Sequence, residues 1–568
     1  MNRHTHALSD YCRFLLLPAV ALSAVVVYQV YLRSVSLVSL GIWLGSIILV
    51  WRALSKEKQM RSIDRLIDRK DLYIMGLLSI MGLLILWYFG SIPSHYHQDE
   101  FITAYTSWAL PGVAKIDWFA GYPEVWVSRF PILFHLLQKP FLLLLGPSVP
   151  SIRISVWPYY VGIIIYLYLV SKLVGSRRLG LATVGVFIAL APNVYLSSMG
   201  LHFVSSTFFY LATVFHFLAF LKSRSMVQAL WSGMFCALSY LTYTSSYIAY
   251  PVIVTIGILA YIRSRSSDVA IALRKFSILV LFILAPFIAH AILVDNYFLE
   301  RISQVNVFWG SWSDTARTHA SPVSIAATQS VSALRSLVIP GIGGLGGYNF
   351  GNQSLLDPLT GVLFILGLGI LVSDAIRKKR EDALSILIVF VVPFITGFIL
   401  TTHPPPFHRI SLLYPFFALV IAWPIWSLTK LKKPVGLLLM ALVLALVATM
   451  NVRHIRAMIL GDANLYPQNS RIIGDFINRT VPKGETIFIA AYPSFYLGQE
   501  LVFRTNNRYL LTTEESEGIL KRYNGKFLIV FQPSEIVINK LTSLYPANRW
   551  VTSLEGIPLG DVALFVPK

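Results

Sequence analysis

The sequence predicts an α-helical polytopic membrane protein of about thirteen spans, followed by a small α/β domain outside the bilayer. Three observations predict it. Of 568 residues, 56% are hydrophobic and only 13% charged, about half the charged share of a soluble globular chain. Apolar runs of roughly 20 residues, the length that crosses ~30 Å of hydrocarbon, recur along the first four-fifths of the chain. Basic residues then cluster between alternate runs.

Inside lipid a backbone must satisfy its own hydrogen bonds, so these runs are expected to be helices. The predicted spans are 14–32, 35–51, 72–90, 151–171, 179–192, 203–221, 229–244, 247–262, 276–294, 359–373, 383–400, 410–428 and 434–450. The first passes at once into the second with no small-residue cleavage site, which reads as an anchor and not a secretory signal. Six short loops, opening at Arg52, Lys172, Lys222, Arg263, Arg377 and Lys430, hold 23 Lys and Arg, whereas the intervening loops, more than twice as long in total, hold 8. This positive-inside bias predicts a cytoplasmic N-terminus, long external loops at 91–150 and 295–358, and an extracytoplasmic C-terminal portion in a plasma-membrane protein. The net charge of +20 is thus a membrane-surface feature, and no nucleic-acid partner is expected. Cys12 and Cys236, both in apolar runs, offer no disulfide framework.

The segment Pro131–Gly146 is apolar but interrupted by His135, Gln138, Lys139 and Pro140. Counting it as a span would move every later basic loop outside, so it reads as an interfacial helix. The chain then divides into an N-terminal two-span hairpin with its basic loop (1–71), a transmembrane domain (72–450) and a soluble α/β domain (451–568). In the last, Arg471–Thr480 and Glu514–Tyr523 read as helices, and Thr486–Ala491, Phe527–Phe531 and Val562–Val566 as strands.

Chemistry-bearing residues collect in the external loops. Asp99 and Glu100 follow the third span in Ser94-His-Tyr-His-Gln-Asp-Glu-Phe. A carboxylate there can take a proton from an acceptor hydroxyl as general base; the plainer reading is a solvated acid, or one capping the helix that begins near Phe101. His95 and His97 precede the pair at period two. With Asp99 they could ligate a divalent metal, although no fourth ligand stands at a recognisable spacing; otherwise they are surface histidines. Arg129, in Val127-Ser-Arg-Phe-Pro-Ile, either holds a lipid phosphate bidentately or anchors the chain by snorkelling. The same two readings apply to Arg153 and to His408 and Arg409, which open the twelfth span after Thr401-Thr-His-Pro-Pro-Pro-Phe. Gly341-Ile-Gly-Gly-Leu-Gly-Gly matches the dinucleotide fingerprint only formally, since no strand precedes it and no helix of a βαβ unit follows.

In order along the chain, Asp99-Glu100, Ala104-Tyr105, Gly121-Tyr-Pro, Arg129-Phe-Pro, Leu145-Gly146 and Ile152-Arg153 resemble the first external loop of the GT-C superfamily of membrane glycosyltransferases. The similar group is the protein-mannosyltransferase-like family (glycosyltransferase family 39), which includes the bacterial aminoarabinose transferases. Leu241-Thr-Tyr-Thr, His408-Arg409 and Tyr414-Pro415 extend the resemblance over roughly 72–430. It implies a GT-C-like catalytic domain at 72–450 that moves a sugar from a polyprenyl- or dolichyl-phosphate donor to a lipid, glycan or protein acceptor, with inversion. Asp99 would be the general base and Glu100 its support; Arg129, His408 and Arg409 would bind the donor phosphate. Arg129 stands where the family usually has Lys, and Met199-Gly-Leu-His202 where it often has an acid. Asp117, Glu124 and Asp314 are the candidates for a second acid or an acceptor contact. The rival reading is a polytopic lipid or sugar transporter or flippase. Transporters carry charges and broken helices near the midplane, whereas these spans are nearly free of ionisable residues.

Overall fold

A computed structural model of the chain describes residues 2–55, 67–91, 97–123, 129–311, 321–344, 348, 350–431, 433–465, 469–490, 495–508, 510–514, 523, 527–531, 535–554, 557–559 and 562–567. His95, Glu124 and Asp314 lie outside these residues, as does most of the helix expected at Glu514–Tyr523. The chain divides into two units: Met1–His95, Pro111–Phe134 and Val156–Asp462 form one, and Tyr96–Leu110, His135–Ser155 and Ala463–Lys568 the other.

In the first unit every predicted span falls on a helix. Eleven helices among the described residues are long and apolar enough to cross a membrane. The pair Arg177–Ala189 and Ala191–Ser197, bent by 63°, brings the number to twelve. Pro192 explains the bend, because it has no N–H to give to Ile188. The seventh expected span, 229–244, is the helix Met226–Tyr240 of 15 residues. At 1.5 Å per residue it reaches about 22 Å, short of the hydrocarbon thickness. It stops where the sequence turns polar, at Thr242–Ser246, and a 3₁₀ turn, Thr244–Ile248, leads into the helix Ala249–Ser264.

The most enclosed spans are His202–Ser223 and Phe407–Lys430, with 83% of their apolar windows buried inside the protein. Helices apolar on all sides belong at a bundle centre. Near the start of the third span, Asp71 is fully buried yet satisfied: it accepts from the Tyr168 hydroxyl at 2.7 Å, Lys172 Nζ at 2.5 Å and Arg177 Nε at 2.9 Å. Some of the basic residues beside the spans therefore pair with an acid inside the protein. The last membrane helix, Lys433–Leu465, runs on past residue 451, where the soluble composition begins.

In the first loop of this unit a short hairpin, β1 (Gly121–Pro123) and β2 (Arg129–Pro131), pairs antiparallel with Tyr122 opposite Phe130. Gly121 presses on the Tyr297 ring; a Cβ there would lie 2.6 Å from it.

The second unit is an α/β layer joined by helices from the first loop. Its sheet runs β4 (Leu510–Glu514), β3 (Thr486–Ala490), β5 (Phe527–Phe531), β9 (Val562–Pro567) and β6 (Asn548–Val551). The pairs β4–β3 and β3–β5 are parallel, and β5–β9 and β9–β6 antiparallel. A small ribbon, β7 (Ser553–Leu554) with β8 (Ile557–Pro558), stands apart. The expected strands at 486, 527 and 562 and the helix Asn469–Thr480 are present. Glu514, expected to open a helix, closes β4 instead. On the loop side, Phe101, Ala104, Leu142 and Ile152 form one apolar cluster with Val502 and Phe503, and the Arg504 guanidinium lies 5.0 Å from the centre of the Phe101 ring.

Candidate functional site

The acidic pair lies in the second unit, at the start of the helix Gln98–Ala109. His97 caps this helix, its Nδ1 accepting the Asp99 N–H at 3.1 Å. The same nitrogen stands 3.6 Å from Asp99 Oδ2, but a ring nitrogen that accepts an amide proton has none to give the carboxylate. His97 thus ends the helix on the side where Asp99 meets the helix dipole, which favours a negative charge. Asp99 is 5% exposed. Glu100 is fully buried and held bidentately by Arg153, with Nε to Oε1 at 2.8 Å and the second nitrogen to Oε2 at 3.0 Å. Neither the solvated-acid reading of Glu100 nor the snorkelling reading of Arg153 fits this pair.

The polar residues that interrupted Pro131–Gly146 hold the same helix in place. The helix Leu133–Leu145 presents His135 and Gln138 inward, where Ser107 Oγ meets His135 Nδ1 at 2.8 Å and donates to Gln138 Oε1 at 2.6 Å. Gln138 Nε2 donates on to Ser155 at 3.1 Å, and Lys139 Nζ reaches the Leu110 carbonyl. Leu143, Leu144 and Leu145 remain exposed.

In the first unit the two candidate phosphate arginines have different surroundings. Arg129, on β2, donates to Asp295 at 2.6 Å, makes a second contact with that carboxylate, and sends Nε to Glu300 Oε2 at 3.3 Å. Two carboxylates thus already match its charge, so a phosphate would have to displace them. Asp117 is held nearby on the same loop: its carboxylate accepts the Phe119 N–H at 3.2 Å and stands 3.5 Å from His290 Nε2. Burial pushes its pKa up, but the His290 imidazole and the Phe119 and Ala120 amides outweigh burial and hold it below the usual carboxylate range. Burial and the Asp117 charge push the neighbouring Tyr122 phenol up to about 12.

Arg409 instead lines a cavity of about 360 Å³. Its wall is built from helix ends. Pro393 lacks an N–H, and the helix it interrupts passes into a π turn, Ile395–Ile399, closed by Leu400 N–H to the Ile395 carbonyl at 2.9 Å. Gly397 of this turn, with Leu400 and Thr401 just after it, faces the cavity, opposite Tyr243–Ser245 and the helix Tyr297–Val305. Among the described residues, Arg301 and Arg409 are its only charged lining residues, with no carboxylate beside them. Arg409 is 7% exposed, donates to Thr402 Oγ1 at 2.8 Å, and feels the like charge of Arg301. The hydroxyls of Ser245 and Tyr247, which line the same space, are buried without a hydrogen-bond partner. Two buried cations and two orphaned hydroxyls around a void suit an anion.

His408 does not line this cavity. Its buried ring packs at a tilt, its centre 4.3 Å from that of Tyr348 and 5.6 Å from that of Phe203. No group of three or more His, Cys, Asp or Glu among the described residues could hold a metal; His95, one of the three expected ligands, lies outside them. Sequence reasoning missed Asp295, Glu300 and Arg301. The available signal was a charged triplet inside a long loop of low charge, flanking an apolar helical stretch.

No family model matches the chain, and no curated protein matches it in sequence. Solved structures do. The aminoarabinose transferase ArnT of Cupriavidus metallidurans, bound to undecaprenyl phosphate, is similar at a TM-score of 0.55 and 11% identity, over 86% of this chain and 97% of that one. Its apo form gives 0.53 and 12% over the same shares. The apo oligosaccharyltransferase of Archaeoglobus fulgidus gives 0.49 and 11%, over 88% and 76%. The chain has the GT-C fold of the membrane glycosyltransferases.

Proposed function

We propose that the protein is a glycosyltransferase that takes a sugar from a polyprenyl- or dolichyl-phosphate donor and passes it to a lipid, glycan or protein acceptor on the extracytoplasmic face. The observation that carries this reading is the cavity at the end of the membrane helices, lined among the described residues by Arg301 and Arg409 and by no acid. A lipid phosphate brings the missing negative charge, and cations aimed at the departing phosphate stabilise the charge that develops there. The fold shared with a protein that binds undecaprenyl phosphate supports the same class of donor.

Asp99 is the proposed general base, taking the acceptor proton in an inverting displacement. Glu100 supports it by fixing the helix through Arg153. Arg409 and Arg301 are the proposed phosphate ligands, and His408, which does not line the cavity, is not among them. Arg129 acts there only after releasing Asp295 and Glu300.

The test uses the purified protein in lipid nanodiscs with labelled polyprenyl-phosphate sugars, after mass spectrometry of a deletion strain has shown which lipid-linked sugar accumulates. Asp99→Asn is expected to lower transfer about 1,000-fold while leaving donor binding and folding intact. Full transfer by that variant would remove the base, and no transfer by the wild-type protein from any polyprenyl-phosphate sugar would remove the function.

A further inference from the structure

We infer that Gln329, in the loop helix Pro322–Ser336, is a positioning residue that fixes the wall of the Arg409 cavity. This inference rests on the reading of that cavity as a phosphate site. The helix starts cleanly, with Ser321 Oγ accepting the Ser324 N–H and Pro322 at its first position. Its buried face is Ile325, Gln329, Ala333 and Ser336. Gln329 is 1% exposed, and a carboxamide so enclosed needs partners for its donors and its oxygen.

All of those partners come from one short segment. Nε2 donates to the carbonyls of Thr402 at 3.1 Å, Thr401 at 3.2 Å and Phe398 at 3.4 Å. Oε1 meets His403 Nδ1 at 2.8 Å. The sequence explains why these carbonyls are available. In a continuing helix, Thr401 and Thr402 would accept from residues 405 and 406, and both are proline. The Pro404–Pro406 run therefore ends the helix and orphans its last carbonyls, and Gln329 supplies the missing donors from another part of the chain.

The consequence reaches the cavity in two bonds. Thr401 is part of the wall, and Thr402 Oγ1 is the acceptor that orients Arg409. Removing the Gln329 amide leaves this turn with unmet carbonyls at the point where Arg409 is held. The glycine-rich stretch braces the turn from a second side: Gly344 N–H donates to the Pro405 carbonyl at 2.9 Å, and a Cβ at Gly343 would lie 2.3 Å from the Phe407 ring. Those contacts fix the turn after the prolines and do not reach the carbonyls that Gln329 serves.

The experiment measures binding of undecaprenyl phosphate to the full-length protein in nanodiscs, with folding followed by circular dichroism. Gln329→Met keeps the length without hydrogen bonds, and Gln329→Glu keeps an acceptor for His403 but points it at carbonyls. Both are expected to weaken binding about 10-fold and to raise the donor KM more than they lower kcat. Thr402→Val should weaken binding comparably, and combining it with Gln329→Met should add little, because both act on one contact. Ser330→Ala, whose hydroxyl bonds to the Ala326 carbonyl of its own helix, should bind as the wild type does. Folded Gln329→Met with wild-type binding would overturn the inference, as would a fully additive double variant. If both Gln329 variants lose the fold, Thr402→Val decides: wild-type binding overturns the inference. Arg409→Gln separates the two levels. If it too binds normally, the phosphate reading fails; if it alone loses binding, only the role of Gln329 fails.

Discussion

Arg129, just before an expected interfacial helix, and Arg409, at the start of an expected span, carry the same expectation from the sequence, each on a donor phosphate. The structure surrounds one with acid and the other with base. Arg129 closes on Asp295 and Glu300, and Arg409 opens on a cavity shared with Arg301. One helix, Tyr297–Val305, serves both corners through adjacent residues, Glu300 toward Arg129 and Arg301 toward the cavity. A closed ion pair spends its charge on folding, whereas a like-charged pair around a void costs stability until an anion arrives. Charge type therefore did not distinguish the roles of these residues; the neighbours did.

The largest effect expected from this contrast is at Arg409. Arg409→Gln should weaken polyprenyl-phosphate binding about 100-fold, the worth of roughly two charge-assisted hydrogen bonds, with the melting temperature unchanged or raised because a buried repulsion is relieved. Thermal melting in detergent and lipid binding check both halves. Next comes a closed pair. Glu100→Ala leaves Arg153 buried without its carboxylate, which should cost about 3–5 kcal/mol; a melting temperature equal to the wild type would reduce that pair to packing. Arg129→Gln is milder, since its side chain is 34% exposed and solvent screens it. About 1 kcal/mol of stability should go and phosphate binding should change less than about threefold.

The smallest effect concerns Asp117. Its folded pKa is depressed, so the stability it contributes is present above the ordinary carboxylate range and is lost as pH falls through the lowered value. Asp117→Asn should lower the neutral-pH melting temperature slightly and flatten the loss of thermal stability as pH falls below the ordinary carboxylate range. An identical acid limb in both proteins would separate Asp117 from the acid response.

Most of the fold was legible because hydrophobic length and period carry it. Each predicted span lies on a helix, and the strand at Phe527–Phe531 matches residue for residue. The seventh span fell short because a helix of 15 residues and a full crossing look alike once a polar turn joins them to another apolar run. In the candidate site, the acidic pair stood out from its place after a span, but the partner that buries Glu100 did not. Arg153 reaches Glu100 from 53 residues away, and Asp295 reaches Arg129 from 166. No local pattern encodes such pairs. The bonds from Gln329 to the carbonyls before Pro404–Pro406 were hidden for the same reason, although the proline run itself announced carbonyls in need of donors.

The most direct test of the central claim sets Arg409→Gln against Arg129→Gln in one assay, undecaprenyl-phosphate binding to the nanodisc-held protein. The account predicts near-complete loss in the first and near wild-type affinity in the second. Loss in Arg129→Gln with binding retained in Arg409→Gln would contradict it, moving the phosphate to the corner the acids now occupy.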